Sequence, residues 1–344
     1  MNANPPDAGR ENAFDLIRLG LALLVVYGHA KLVGGFGEEG FTQICKMQTS
    51  AGPLAVAGFF GISGFLVTRS FALRHDWRAF VKARLLRILP GFYFALLVTA
   101  LYLAPMISRF NPLAGPWSAA SAFHYVADNA LVWIRSSSVG DVLHGLPYEG
   151  SINGALWTLF PELCCYGLVL FLGVLGWFRL GCVNVLLVGL AILAFHVAIV
   201  VVPSGFIIAP TFLQLTGWSP LVASFVVGCL IYCFRDRLEI GGRSAVFWVL
   251  ATIVLLRFGG WALLGPVALT LALIHTAYSF QLRLPCDLSY GTYLLHFPVL
   301  QLFVALGWQR HGFAAYFSAV LAATLAMAAV SWFAVERPFL KLKG

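Results

Sequence analysis

Charge is what this sequence has least of. Asp, Glu, Lys and Arg together make up 10% of its 344 residues, against 60% hydrophobic ones, and the mean hydropathy is +0.87. One water-soluble core cannot hide that much apolar surface, so a soluble globule is excluded and lipid is the expected solvent. Acidic groups are scarcer than basic ones, 14 against 22, which leaves a net charge of +8. Topology accounts for that excess, and it calls for no nucleic acid partner. No cleavable leader is expected. Met1 to Asn12 is polar and holds Asp7 and Glu11, so the first helix is expected to remain as an anchor. No disulfide framework is suggested, because most of the seven cysteines fall inside predicted helices and only Cys45 in an outer loop. Cys229 and Cys233 stand one turn apart without an acidic or His neighbour, so they read as packing residues and no metal site is expected. Internal repeats and low-complexity tracts are not seen, and no appended soluble domain is expected. The expectation is one membrane domain over 1–344.

What is present is a series of apolar runs of about 20 residues, the length that crosses a bilayer as helix. They lie near 14–33, 52–70, 88–106, 153–175, 180–202, 217–234, 244–258, 261–280, 287–307 and 313–334. The pattern predicts an all-α integral membrane protein of about ten transmembrane helices, the seventh being short and interrupted by Arg257 and Gly259-Gly260. Cytoplasmic loops retain Lys and Arg. With both termini cytoplasmic, only Lys31, Lys46, Arg109, Arg135, Arg257 and Arg310 fall outside. An outer segment near 107–152, with Trp117, His124, Trp133 and Glu149, suits an interfacial cap. Val202 to Pro220 reads as a re-entrant loop, and Arg69 to Pro90 as a basic inner loop.

Ionisable groups inside a bilayer are costly unless paired or hydrated, so those within the helices are the functional candidates. The first helix, FDLIRLGLALLVVYGH, holds three. Asp15 precedes Arg18 by one turn and can neutralise it. His29 lies on nearly the same face as Arg18, about 16 Å further along the axis. A neutral imidazole there suits a general base. In the second helix, FFGISGFLVTRS, Gly58, Gly61 and Gly64 predict close packing, and Ser63 lacks the full spacing of a nucleophile elbow. FVKARLLRILP places Arg84 and Arg87 on one helical face beside Lys82, where two guanidinium forks can hold a phosphate. The fourth helix carries Trp157, Glu162 and Tyr166 in its outer half, with Pro161 able to bend it. The ninth, SYGTYLLHFPV, carries Ser289, Tyr293 and His296 on one face.

Together these motifs resemble the acyltransferase family 3 proteins, bacterial inner-membrane enzymes that acylate extracytoplasmic carbohydrates. The likeness runs over nearly the whole chain. It rests on Asp15, Arg18 and His29, on FFGISGFL, on Arg84-x-x-Arg87, on Trp157 with Glu162 and Tyr166, on SYGTYLLH, and on Glu336-x-Pro338, a charged helix stop. The resemblance implies acetyl-CoA as donor, an inner Arg pair on its phosphates and an essential first-helix His, and it leaves the acceptor open.

The resulting expectation is a membrane O-acetyltransferase of the bacterial inner membrane, surrounded by membrane lipid. Its acceptor is a carbohydrate or lipid-linked glycan such as O-antigen or exopolysaccharide. Phosphates rest on Arg84, Arg87 and Lys82. The pantetheine arm passes Arg18, and His29 deprotonates the acceptor with Glu162 assisting and Asp15 and Arg18 completing the catalytic stripe. Trp157, Tyr166, Tyr293 and His296 line the substrate cavity. Direct transfer and an acetyl-His intermediate both remain open. The rival reading is a transporter using the buried His, Asp and Glu as a proton relay, which the missing repeat disfavours.

Overall fold

The computed structural model describes residues 13–178, 182–201, 210–282 and 284–343, with the side chains of 210–216 left aside. Among these residues it is helical throughout, without strands. The helices are α1 (Phe14–Val33), α2 (Gly40–Ile44), α3 (Ala51–Arg74), α4 (Trp77–Val98), α5 (Ala104–Phe110), α6 (Ala119–Asn129), α7 (Leu159–Val174), α8 (Val183–Val201), α9 (Pro210–Phe234), α10 (Gly242–Phe258), α11 (Trp261–Ser279), α12 (Ser289–Ala305), α13 (Phe313–Ser331) and α14 (Arg337–Lys341). Eight helical segments among them are long and apolar enough to cross a membrane. α10 and α12, at 17 residues each, fall just short of that length. α10 stops where the sequence reading expected a weak span, at Gly259 and Gly260, whose φ values of 125° and 89° end the helix.

Two compact units divide the chain. The first holds the described residues up to Leu21 together with Phe41–Val81 and Pro161–Pro285. The second holds Ala22–Gly40, Lys82–Phe160 and the described residues from Cys286 onward.

In the first unit α3 is the central helix, with 72% of its apolar window buried, because its glycines let α9 touch it backbone to backbone. A Cβ on Gly64 would overlap the Phe225 carbonyl, and one on Gly228 would overlap that of Gly61. The expected small-residue packing is thus met. α8 is the opposite case: its window has a mean hydropathy of 2.6 and is 17% buried. A helix apolar all round and so little covered by protein belongs in lipid.

Helix-internal prolines each orphan a carbonyl four residues back, and side chains take up the slack. Pro266 releases Ala262 O, which accepts from His196 Nε2 at 2.8 Å. In the second unit Pro298 releases Leu294 O, which accepts from Asn153 Nδ2 at 2.9 Å. Pro161 falls in the first turn of α7, where a missing N–H costs nothing, so the bend expected there is not required.

Three loop expectations change. Arg69 to Pro90 is no loop: α3 continues to Arg74 and α4 starts at Trp77. Asp76 Oδ1 accepts from the Arg78 and Ala79 N–H groups, and His75 adopts a left-handed cap with φ 53°, so two residues make the turn. Glu336 is no helix stop either, since a π-helical turn, Trp332–Glu336, carries α13 into α14. Of the expected re-entrant stretch, 202–209 lies outside the described residues and the remainder is helical in α9.

The segment expected to form an interfacial cap, 107–152 in the second unit, is ordered by buried amides. Asn129 Oδ1 accepts from the Arg135 and Ser136 N–H groups while its Nδ2 donates to Ser136 O. Asn111 Nδ2 donates to Val142 O and His144 O, and Gln301 of α12 donates to Tyr148 O and Ser151 O. The loop's polar backbone is thereby satisfied where water is scarce.

Candidate functional site

His29 stands in the last third of α1 and His296 in the middle of α12, both within the second unit. His29 Nδ1 lies 2.7 Å from His296 Nε2. The ring centroids are 5.0 Å apart and the planes 3° from parallel. Nitrogens that close cannot belong to rings stacked face to face, so the two imidazoles lie side by side in one plane, joined by an in-plane hydrogen bond. Its direction follows from the far side of His296. Nδ1 there faces Thr292 O at 3.2 Å and Tyr293 O at 2.8 Å. Carbonyls only accept, so in the neutral pair His296 carries its proton on Nδ1, its Nε2 accepts, and His29 Nδ1 donates. The proton-free nitrogen of His29 is therefore Nε2, which has no hydrogen-bond partner among the described residues.

The pair is held firmly. His296 is fully buried and His29 partly so. The Phe297 ring meets His29 edge-on at 5.0 Å, and Gly154 lies so close to Phe297 that a Cβ would strike the ring. Tyr293 Oη lies 2.6 Å from Thr158 Oγ1 and donates to Ala155 O at 3.1 Å, tying α12 to the turn before α7. Trp157, in that same turn, is 43% exposed.

A second cluster sits at the start of α12. Arg87 Nη2 pairs with Asp287 Oδ2 at 2.6 Å, with the side chains 20% and 12% exposed. Asp287 Oδ1 accepts from Ser289 N at 3.2 Å and from Ser289 Oγ at 2.5 Å, which ties it to the first residue of α12. The Arg87 guanidinium lies 5.4 Å from the Tyr290 ring centre, and Tyr290 donates to Ile88 O. Glu336, 2% exposed, accepts from Ser331 Oγ at 2.8 Å and lies in electrostatic range of Arg87 and Asp287. Arg84 is half-buried one turn earlier on α4, and Lys82 is exposed.

The first unit holds the remaining candidates. Asp15 pairs with Arg18 at 3.2 Å on one face of α1, as its spacing predicted. Glu162, in the first turn of α7, accepts from Tyr166 Oη at 2.5 Å and from Ser63 Oγ at 3.3 Å. Ser63 Oγ also lies 3.3 Å from Tyr166 Oη, so Ser63, Glu162 and Tyr166 form one polar cluster.

Sequence reasoning placed His29 and His296 separately and missed that they meet. It missed Asp287 altogether, whose partner Arg87 lies 200 positions away. It also missed Ser63 as a Glu162 partner. His196 contrasts with His29: its Nε2 donates to Ala262 O and its Nδ1 accepts from Ser219 Oγ, a closed circuit with nothing left for chemistry.

A multi-pass helical membrane protein with a coplanar histidine pair inside its helices is equipped for acid–base chemistry within the bilayer. The family model for the acyltransferase domain, acyltransferase family 3, matches residues 11–336, and the chain belongs to this family. It is thus a membrane O-acyltransferase. The chain is similar to "Nodulation protein 10" of Rhizobium leguminosarum bv. viciae, 28% identical with 99% of this chain and 96% of the relative covered. It is also similar to "O-acetyl transferase" of Shigella phage Sf6, 29% identical over 46% of this chain and 44% of the relative. No solved structure matches.

Proposed function

We propose that this acyltransferase moves an acetyl group from cytoplasmic acetyl-CoA to a hydroxyl of a cell-surface or exported carbohydrate, across a bacterial inner membrane that it spans ten times with both termini inside. The observation that carries the reading is the His29–His296 hydrogen bond, which presents His29 Nε2 as a base.

In the direct route His29 Nε2 takes the proton of the acceptor hydroxyl as its oxygen attacks the thioester carbonyl. The tetrahedral intermediate collapses with loss of the CoA thiolate, which receives the proton from Nε2, leaving an O-acetyl ester and CoA thiol. His296 neither gives nor takes a proton in this cycle. Its Nε2 lone pair faces the His29 Nδ1–H as positive charge develops on the ring, the task a carboxylate performs in a catalytic triad. In the two-step route Nε2 attacks the thioester first, and the same tautomer is required.

The donor's phosphates are assigned to Arg84, Arg87 and Lys82. Arg87 and His296 are linked through α12: Asp287, which holds Arg87, stands nine residues before His296, about 14 Å along the helix. A donor anchored by phosphate near Arg87 and carrying its acyl group on a long pantetheine arm fits that separation. Charged groups at this depth are expensive to keep without a task, which favours a working role for the cluster.

The test is incorporation of label from acetyl-CoA into glycan by membranes containing the protein or its His29→Ala variant. Label that depends on the protein and is lost in the variant supports the reading. Unlabelled glycan in the presence of intact donor and acceptor removes it.

A further inference from the structure

A cavity of about 570 Å³ opens in the first unit where α3 and α9 end, and none of its lining residues belongs to the histidine pair or the Arg87 cluster. Its walls are of two kinds. Phe178, Tyr232 and Phe234 supply aromatic surface, while Arg235 and Arg237, on a 3-10 turn directly after α9, supply positive charge. The arginines are pre-set on that aromatic surface. The Arg235 guanidinium lies 4.3 Å from the Tyr232 ring centre and its Nη1 donates to Tyr232 O at 2.9 Å; that of Arg237 lies 5.7 Å from Phe234. Arg69 acts electrostatically on Tyr232 as well. His75 lines the mouth. Against these stands one carboxylate, Asp236, 67% exposed and 3.6 Å from Arg235.

Basic residues at helix ends ordinarily mark the cytoplasmic side and need no ligand. A shaped hollow is a different matter. A guanidinium already held over a ring, as Arg235 is, loses little freedom when it grips a phosphate, and the aromatic wall accepts an apolar or planar portion beside it. The volume is that of a small-molecule site.

We propose that this cavity is a binding site for a phosphate-bearing amphiphile, gripped by Arg235 and Arg237, with its less polar portion against Phe178 and Tyr232. Two sources offer that chemistry: an anionic phospholipid headgroup, or a soluble nucleotide such as coenzyme A. As a lipid site it is independent of the acyl-transfer assignment, since none of its residues belongs to the histidine or Arg87 clusters; coenzyme A binding that is lost in Arg235→Gln/Arg237→Gln moves the donor's phosphates from Arg84, Arg87 and Lys82 to this cavity.

The full chain, in nanodiscs of phosphatidylcholine with or without phosphatidylglycerol, is titrated with coenzyme A while bound lipid is counted by native mass spectrometry. Arg235→Gln/Arg237→Gln is expected to lose either phosphatidylglycerol adducts or coenzyme A affinity, by roughly tenfold for each charge-assisted hydrogen bond removed. Loss of the first identifies a lipid, loss of the second a nucleotide. Leu73→Trp, which fills the cavity from an exposed position on its wall, is expected to act like the double variant without altering charge, and it serves where the double variant fails to fold. Asp236→Asn, removing the competing carboxylate, is expected to tighten binding. Unchanged binding of both probes in the double variant and in Leu73→Trp overturns the proposal.

Discussion

His296 Nε2 accepts a hydrogen bond from His29 Nδ1 at 2.7 Å, while its own Nδ1 is committed to the carbonyls of Tyr293 and Thr292. One ring therefore dictates the tautomer of the other. His29→Ala is expected to abolish transfer with normal membrane expression. His296→Ala is expected to cost about 10²-fold or more in kcat, the scale of a general base's contribution. His296→Gln places a carbonyl oxygen near the position of the lost Nε2, where it can accept from His29 Nδ1, and is expected to recover part of the rate. The double variant His29→Ala/His296→Ala should be no slower than His29→Ala alone, because the two act as a unit. Additive losses would separate them.

The buried Arg87–Asp287 pair makes a second prediction. Asp287→Ala leaves a half-buried guanidinium without its main counter-charge, and breaking such a pair costs about 3–5 kcal/mol. Thermal unfolding in detergent is the check. Arg87→Met/Asp287→Leu replaces both charges by apolar groups and should regain most of that stability. If Arg87 also serves the donor, KM for acetyl-CoA stays raised in the double variant despite the recovered fold. A normal KM would limit Arg87 to a structural task.

Glycine packing gives a third. Gly64→Ala drives a methyl into the Phe225 carbonyl, and neither backbone can yield cheaply. Gly20→Ala meets nothing within 4 Å and supplies a better helix former. The first variant should lower the unfolding temperature and the yield of folded protein, and the second should leave both unchanged or slightly raised.

Sidedness is the fourth. Reporter fusions at Lys343 and at Ala130 should report opposite compartments, cytoplasmic for Lys343 and external for Ala130. The same compartment for both would overturn the ten-span arrangement.

How far residue order alone reaches is clear from single elements. The span expected at 14–33 coincides with α1, Phe14–Val33, because lipid permits only backbone whose hydrogen bonds close within the segment, and apolar runs mark where that happens. The Asp15–Arg18 contact was legible for the same local reason, since residues three or four apart on a helix are neighbours, and the Glu162–Tyr166 contact, at the same kind of spacing, was not read. The Arg69 to Pro90 stretch misled because its charge hid a continuous α4, which only the Asp76 cap and the His75 turn reveal.

Composition and periodicity thus determined a helical membrane protein with a few polar side chains inside it, since hydropathy and helical phase are local properties. Tertiary structure alone decided which of those side chains meet. His29 and His296 stand 267 positions apart, as Arg87 and Asp287 stand 200. No periodicity links such distant residues, whereas the packing of α1 and α4 with α12 brings them within hydrogen-bond reach. That reach turns a histidine on one helix into a base with a defined bare nitrogen.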